Sequence, residues 1–284
     1  MPESGETRAV ATMRRTVPGV SEGREARSLS FDRAAEYYDR TRAIDPEALA
    51  ETVAMLAETL SGRDPVLEIG VGTGVIALPL SEAGVRLVGL DLSRPMLAKL
   101  VEKAGRPPLP LVQGDAVRLP FSDGTFGGAY ARWVLHLIPA WRSAVAELVR
   151  VVRPGGALVI EPGGYSGVWR EVWLKFIEEG GDAIRSVGLD MTDDSALDLV
   201  LSEAGVKPSE LPPVRMKDES TLEEFFDQVG QRLFSWTWRI ADEDFERVVN
   251  SVRAWARERF GPLDVPIRTM YTMPRWRMYE LPGV

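Results

Sequence analysis

The chain has 284 residues, with 34 Lys or Arg against 42 Asp or Glu, and its formal net charge is −8. This acidic balance argues against nucleic-acid binding, because proteins that bind phosphate backbones concentrate basic residues on one surface. The chain has no cysteine and one histidine, which excludes disulfides and thiolate ligands and predicts no metal site. No apolar run approaches about 18 residues and no apolar segment follows the N-terminal arginines, so we expect no membrane span, no secretory signal and a cytoplasmic location.

Changes in composition along the chain predict one large α/β domain that follows a polar tail. Residues 1–28 are rich in Gly, Pro, Ser, Glu and Arg, lack periodicity, and are predicted to be disordered. We expect a lid and first helix over 29–62, a cofactor-binding core over 63–162, a helical insertion over 163–205, and a C-terminal part over 206–284 that completes the sheet and its helices.

The most informative segment contains two apolar runs that flank a glycine turn. The first run, 66–69, ends in glycines at alternate positions, Gly70, Gly72 and Gly74, and the second run ends at Asp91. Glycine permits a sharp turn and lets a ligand approach the backbone without a Cβ in between. A carboxylate at the end of the second strand is placed to accept hydrogen bonds from ribose hydroxyls. The pattern predicts a strand–turn–helix–strand unit that binds a nucleotide.

The spacing of the glycines distinguishes between two kinds of nucleotide. A dinucleotide fingerprint reads G-x-G-x-x-G, whereas here the third glycine comes one position early and Val75 stands at the dinucleotide position. Glu68 is unfavourable beside a pyrophosphate and favours a ligand that carries an ammonium or sulfonium group, reached directly or through water. The run Glu68-x-Gly70-x-Gly72-x-Gly74 resembles that of the class I S-adenosylmethionine-dependent methyltransferases.

Further segments resemble the same family, in the order that the family requires, over roughly residues 31–161. They are an F-D-x-x-A-x-x-Y-D run, a D-x-S-x-x-M-L run, an L-P-F-x-D-x-x-F turn and an R-P-G-G turn, at 31–39, 91–97, 119–126 and 153–156. The branch that they resemble is that of small-molecule methyltransferases of the quinone-biosynthesis type (methyltransferase type 11).

The resemblance implies an α/β, Rossmann-like fold. Its features are a seven-stranded, mostly parallel sheet with an antiparallel last strand, helices on both faces, an N-terminal lid, and a helical insertion after the fifth strand. The residue patterns predict the fourth strand over 129–136, the sixth over 208–216 and the closing strand within 267–281. Helical periodicity predicts helices over the ranges 46–60, 140–151, 195–204, 221–232 and 242–260.

The implied cofactor is S-adenosyl-L-methionine, with S-adenosyl-L-homocysteine as the product. The resemblance implies that Asp91 binds the ribose, that Asp115 accepts from the adenine amine, and that Tyr38 covers the methionyl end, whose carboxylate Arg42 would bind. The full set of residues implied around the cofactor is Tyr38, Arg42, Glu68, Gly70, Gly72, Gly74, Asp91, Leu92, Met96, Gly114, Asp115, Ala116 and Arg132.

The acceptor side is expected in the N-terminal segment and in the chain after the fifth strand, which cover the substrate in this family. Six of the eight tryptophans lie beyond Glu161, which suits a flat or apolar small-molecule acceptor. The only histidine, His136, is a candidate general base. We expect a monomer or a homodimer without a nucleic-acid partner. The predicted acceptor-binding residues are Tyr37, Trp133, Trp169 and Trp173.

Three other functions stay open at this point. A nicotinamide-dependent oxidoreductase would use the same strand–turn–helix unit, but Val75, Glu68 and the adjacent Gly114 and Asp115 disfavour it. A module that binds S-adenosylmethionine without catalysis would keep every cofactor residue, so the sequence does not distinguish it from an enzyme. Nucleic-acid methylation is disfavoured, because no N-P-P-Y-type run follows the fourth strand and the chain is acidic.

Overall fold

The computed structural model describes six stretches of the chain. They are 27–42, 44–193, 195–203, 205–267, 269–272 and 276–283. The predicted disordered tail lies outside the described residues, apart from its last two positions. Among the described residues, no helix combines the length and apolar character that crossing a membrane requires.

Seven of the nine strands in the described residues form one sheet. The strands are β1 (Val66–Ile69), β2 (Leu87–Asp91), β3 (Leu111–Gln113), β4 (Phe126–Arg132), β5 (Val152–Glu161), β6 (Pro208–Glu210), β7 (Arg215–Asp218), β8 (Thr269–Thr272) and β9 (Arg277–Glu280). The sheet order is β3-β2-β1-β4-β5-β9-β6. The first five strands are parallel, and β9 runs antiparallel to both of its neighbours. The expected fold, with seven strands and an antiparallel last strand, is confirmed.

Helices cover both faces of this sheet. The described α-helices are α1 (Tyr38–Thr41), α2 (Pro46–Thr59), α3 (Ala77–Glu82), α4 (Arg94–Ala104), α5 (Trp141–Val151), α6 (Gly167–Gly180), α7 (Ser195–Glu203), α8 (Leu222–Gly230) and α9 (Asp242–Phe260). Because side chains alternate along a strand, Leu67 and Ile69 share one core with α5 and α7, whereas Val66 shares the other with α2, α3 and α4. The sheet is thus buried on both sides, as parallel sheets are.

A third apolar cluster lies beside the sheet and joins helices that are distant in sequence. We call it the helical layer; it consists of α6, α8, α9 and the 3-10 turn Ser235–Arg239. Its centre is aromatic, with the Phe176 ring 4.8 Å from that of Trp236. The helix α7, in contrast, packs on the sheet through Leu197 and Leu201. The two helices of the predicted insertion therefore belong to different cores, and the domain boundaries stay a prediction.

Two strand boundaries differ from the prediction. The fourth strand ends at Arg132, four residues before the predicted end, because Trp133 has a φ of 53° and cannot continue an extended chain. The predicted sixth strand splits: β6 joins the main sheet, while β7 pairs with β8 in a separate two-stranded sheet. Pro212 and Pro213 stand between the two parts, and proline cannot donate to a strand ladder.

Candidate active site

Two adjoining cavities lie at the carboxyl edge of the parallel strands, where ligands bind in open α/β sheets. The first, which we call the glycine-turn cavity, is lined by the glycine turn and by the ends of β2 and β4. The second, the tryptophan cavity, lies between the N-terminal segment and the helical layer. Each encloses about 620 Å³, including space open to solvent. Both are lined by Leu29, Phe31, Tyr38, Trp133 and Leu137, so these residues form a shared wall.

The three positions of the turn require glycine for different structural reasons. All have positive φ, at 70°, 54° and 78° for Gly70, Gly72 and Gly74. A Cβ on Gly70 would lie 2.8 Å from Val134, and one on Gly74 would lie 2.8 Å from Leu100. At Gly72 the nearest atom would be the terminal methyl of Met96 at 3.4 Å. Packing therefore requires the outer two glycines, while Gly72 leaves free space at the cavity.

Asp91 connects the end of β2 to the glycine turn. Its Oδ2 accepts a hydrogen bond from Gly72 N at 2.8 Å, and its Oδ1 accepts one from Ser93 N at 2.8 Å. Burial raises the pKa of Asp91, and the backbone donors act in the opposite direction. Each carboxylate oxygen can accept a further hydrogen bond, so Asp91 holds the turn and keeps acceptor capacity for a ligand hydroxyl.

The far end of the glycine-turn cavity is closed by the N-terminal segment. Ser28 Oγ donates to Asp115 Oδ1 and Oδ2 at 3.1 and 3.2 Å, and Leu29 N donates to Leu137 O at 3.0 Å. Asp115 also caps the backbone at Val117 N, 3.2 Å away. The other predicted residues that line this cavity are Leu92, Met96, Gly114, Ala116 and Arg132.

Glu68 lies beneath the glycine turn and does not line either cavity. It is 4% exposed and accepts a hydrogen bond from Tyr130 Oη at 2.5 Å. Burial raises the pKa of Glu68 to about 8, although the Tyr130 hydroxyl opposes this. The side chain is therefore a buried, titratable acid below the glycine turn, and its predicted contact with a ligand, direct or through water, stays a prediction.

A buried acid at the end of β5 fixes the wall between the cavities. Glu161 is 1% exposed, and its Oε1 accepts from Trp133 Nε1 at 2.6 Å. Its backbone oxygen accepts from Trp133 N at 3.1 Å, and its Oε2 lies 3.1 Å from Arg132 Nε. Burial raises the pKa of Glu161 to about 7, against the opposing charge of Arg132. These contacts hold Trp133 in a left-handed conformation that few non-glycine residues adopt.

Glu161 is a site residue that the sequence analysis missed. The available signal was the one used for Asp91, an acidic side chain that ends an apolar strand.

The tryptophan cavity collects residues from the N-terminal segment, the turn after β4 and the helical layer. Trp133, Trp173 and Arg42 line it. Trp169 instead packs on Phe225, with ring centres 5.4 Å apart, and neither it nor Tyr37 lines the two cavities. Arg42, whose expected role at the cofactor stays a prediction, has its guanidinium 4.7 Å from the centre of the Phe234 ring of the helical layer.

His136 also lines the tryptophan cavity, in the 3-10 turn Leu135–Leu137. Its Nδ1 is buried and has no hydrogen-bond partner among the described residues. Burial, with a contribution from the charge of Arg42, lowers the pKa of His136 to about 3. The imidazole is therefore neutral at pH 7 and able to accept a hydrogen bond, but a weak base. In the described part of the chain no cluster of three or more acidic or histidine side chains could hold a metal ion.

The sheet, the glycine turn and Asp91 at its edge define a Rossmann-like α/β nucleotide-binding protein. A family profile described as a methyltransferase domain matches residues 67–160. The chain is 32% identical to the demethylmenaquinone methyltransferase of Mycolicibacterium gilvum over 165 residues, which cover 55% of this chain and 71% of that protein. It is 32% identical to that of Renibacterium salmoninarum, with 54% and 66% covered. The solved YcgJ protein of Bacillus subtilis shares the fold, with a TM-score of 0.55, 18% identity, and coverage of 83% and 99%.

The chain belongs to the family of class I S-adenosylmethionine-dependent methyltransferases. It spans between 47% and 71% of the length of the curated relatives that it matches. The profile match ends at the carboxyl end of β5, so it covers the cofactor-binding core and does not include the helical layer.

Proposed function

We propose that this protein transfers the methyl group of S-adenosylmethionine to a small-molecule acceptor by in-line displacement. The observation that carries the proposal is the shared wall. A cavity built for a nucleoside and a cavity built from aromatic side chains meet at Phe31, Tyr38 and Trp133. Reactants bound in the two cavities would meet at these shared residues. Holding two reactants close together supplies much of the rate of a bimolecular reaction.

The glycine-turn cavity fits the cofactor on three observations. Gly72 leaves the space that a Cβ would fill, and Asp91 keeps acceptor capacity for the ribose hydroxyls. The carboxylate of Asp115 can accept from the adenine amine once its hydrogen bonds from Ser28 Oγ are broken. When bound, S-adenosylmethionine supplies a sulfonium methyl group that a nucleophile can accept. Tyr38 lines both cavities, and Arg132 lines the glycine-turn cavity with its guanidinium 5.0 Å from the ring of Trp133 in the shared wall.

The chain's own residues contribute enclosure and orientation. Phe31 and Tyr38 pack edge to face at 5.8 Å, and Phe31 also packs on Trp238 at 5.3 Å. We propose that this aromatic lid shields the point where the cavities meet from water, because a site without water does not stabilise a charged ground state as solvent does. Glu161 orients Trp133 at the same point.

The hypothesis that His136 is a general base stays a prediction, and burial weakens it, because efficient proton transfer needs a pKa near the working pH. We propose that its Nδ1 accepts a hydrogen bond from the acceptor. The cytoplasmic location and the monomeric or homodimeric state also stay predictions.

The low pKa of His136 has a measurable effect on stability. In the unfolded chain His136 is protonated near pH 6.5, whereas in the folded chain it is protonated only near pH 3. The stability that His136 contributes above pH 6.5 is therefore lost as the pH falls, by about 1.4 kcal/mol per unit. Urea unfolding of His136→Gln at pH 6.5, 5.5 and 4.5 should show a smaller loss than the unsubstituted protein. Equal losses would mean that His136 titrates normally, which would favour its role as a base.

Binding of a cation above Glu68 should release protons. With a pKa of about 8 this carboxyl is mostly protonated at pH 7.5, and a sulfonium charge would lower that value. Calorimetry in two buffers with different ionisation enthalpies should show release of a fraction of one proton on binding S-adenosylmethionine. S-adenosylhomocysteine, which lacks the charge, should release less, and Glu68→Gln should remove the difference. An unchanged difference in Glu68→Gln would disprove the role of Glu68.

The test of the proposed function is transfer of a radiolabelled methyl group from S-adenosylmethionine to a panel of aromatic hydroxyl, amine and carboxyl compounds. Label transfer that is lost in Asp91→Ala supports it. Intact S-adenosylhomocysteine binding without transfer to any compound would instead favour a non-catalytic module. The relatives are named for demethylmenaquinone, so a quinol belongs in the panel.

A further inference from the structure

The tryptophan cavity is positively charged in an acidic protein. Three arginines line it, Arg42, Arg185 and Arg239, and none of the described residues that line it is Asp or Glu. The chain as a whole has a net charge of −8. A cavity lined by one sign of charge raises the local concentration of ligands of the opposite sign, so the lining selects for anions.

The three arginines differ in how many of their hydrogen-bond donors are already paired within the protein. Both Nη atoms of Arg239 donate at 2.7 Å to backbone oxygens, those of Arg185 and Asp182. Arg185 is largely exposed and lies 3.7 Å from Asp182. Arg42 is half-buried and donates through Nη1 to Thr41 O at 2.9 Å, and among the described residues no carboxylate lies within 4 Å of it. Arg42 is thus the half-buried arginine of the three, and apart from Nη1 its donors have no partner among the described residues.

The aromatic lining of the same cavity, together with one unpartnered donor on a lining residue, indicates the complementary ligand. Trp173 is 5% exposed, and its Nε1 donor is buried without a partner among the described residues. Buried donors of this kind are nearly always paired in native structures, with protein, water or ligand. The flat rings of Trp133, Tyr165 and Trp236 make up much of the remaining lining. The ligand that satisfies this lining is planar and apolar and carries a hydrogen-bond acceptor.

We propose that the methyl acceptor is a planar aromatic molecule with an anionic oxygen, and that Arg42 binds this oxygen in the tryptophan cavity. The inference rests on the proposed function and assigns Arg42 to the acceptor rather than to the methionyl carboxylate. The charge of Arg42 reaches this cavity, since it opposes the burial that raises the pKa of Tyr165.

The test compares hydroxynaphthoic acids with their primary amides, which keep the ring and lose the charge. Dissociation constants are measured by calorimetry with and without saturating S-adenosylhomocysteine, for the full chain and for Arg42→Gln, Arg42→Lys and Arg33→Gln. Arg33 is the matched control, because it lies on the same segment and stacks 4.8 Å from Trp238 but lines neither cavity.

We expect at least one acid to bind about tenfold or more tightly than its amide, as a hydrogen bond to a charged group predicts. Arg42→Gln should remove this preference, Arg42→Lys should keep part of it, and Arg33→Gln should keep all of it. The affinity for S-adenosylhomocysteine should be the same in all four proteins.

Three results would overturn the inference: equal binding of acids and amides, no binding of any acid, or weaker S-adenosylhomocysteine binding in Arg42→Gln with the acid preference kept. The last result would return Arg42 to the methionyl carboxylate and would leave the proposed function standing. Failure of S-adenosylhomocysteine to bind the unsubstituted chain would count against the proposed function. The preference for acids over amides would still be measured, in the titrations without S-adenosylhomocysteine.

Discussion

Gly72→Ala should reduce the affinity for S-adenosylhomocysteine by about 100-fold or more, because its methyl group would occupy the space that the ligand needs beside the backbone. The free protein should tolerate the substitution, since the new Cβ would lie 3.4 Å from the flexible end of Met96 and 3.9 Å from Gly70 O, an ordinary van der Waals contact. The positive φ of 54° should lower the free energy of unfolding by about 1 kcal/mol. Calorimetric titration and urea unfolding measure the two effects separately.

Gly105→Ala is the matched control for this variant. Gly105 ends α4 with a φ of 70°, and a Cβ added there would have no other atom within 4 Å, so this variant carries the same backbone strain away from the cavities. Its stability should fall by an amount similar to that of Gly72→Ala, and its ligand affinity should not change. Normal binding by Gly72→Ala would show that no ligand approaches this glycine.

Asp91→Ala should abolish measurable binding of S-adenosylhomocysteine. Two hydrogen bonds from ribose hydroxyls to a carboxylate contribute about 3 kcal/mol or more, or about 100-fold in affinity. The substitution also removes the acceptors for Gly72 N and Ser93 N, so the glycine turn loses its anchor. Asp91→Asn keeps one oxygen acceptor and should bind with intermediate affinity in the same titration.

The control for a purely structural effect is Asp45→Ala. Asp45 caps α2 by accepting from Ala48 N at 3.1 Å, and it lines neither cavity. Loss of this cap should lower stability by about 1 kcal/mol and leave ligand affinity unchanged. If Asp91→Ala binds as Asp45→Ala does, then Asp91 serves the fold and not the ligand.

The glycine turn and Asp91 in the candidate cofactor half of the site could be predicted from sequence because their geometry is local. The glycine turn and Asp91 lie within 22 residues of one another along one strand–helix–strand unit, and the residue types alone specify a turn with backbone exposed to a ligand. The structure adds that the three glycines have different roles within the turn. Gly70 and Gly74 leave room for Val134 and Leu100. These two contacts are not visible in the local sequence pattern.

The candidate acceptor half could be predicted only in part. The predicted residues Trp133 and Trp173 line the tryptophan cavity, whereas the other parts depend on contacts between distant segments. The conformation of Trp133 follows from Glu161 on the neighbouring strand, 28 residues away. The position of Arg42 follows from stacking on Phe234 in the helical layer. Helical periodicity predicted α8 and α9 as helices, but it does not state that they pack against α6 rather than on the sheet.

The central claim is that the glycine-turn cavity binds S-adenosylmethionine rather than a dinucleotide. Its most direct test is a calorimetric titration of the chain with S-adenosylhomocysteine and, under the same conditions, with NAD. We predict saturable binding of one S-adenosylhomocysteine per chain that depends on Asp91, and no binding of NAD. Binding of NAD that is lost in Asp91→Ala, with no binding of S-adenosylhomocysteine, would contradict the account.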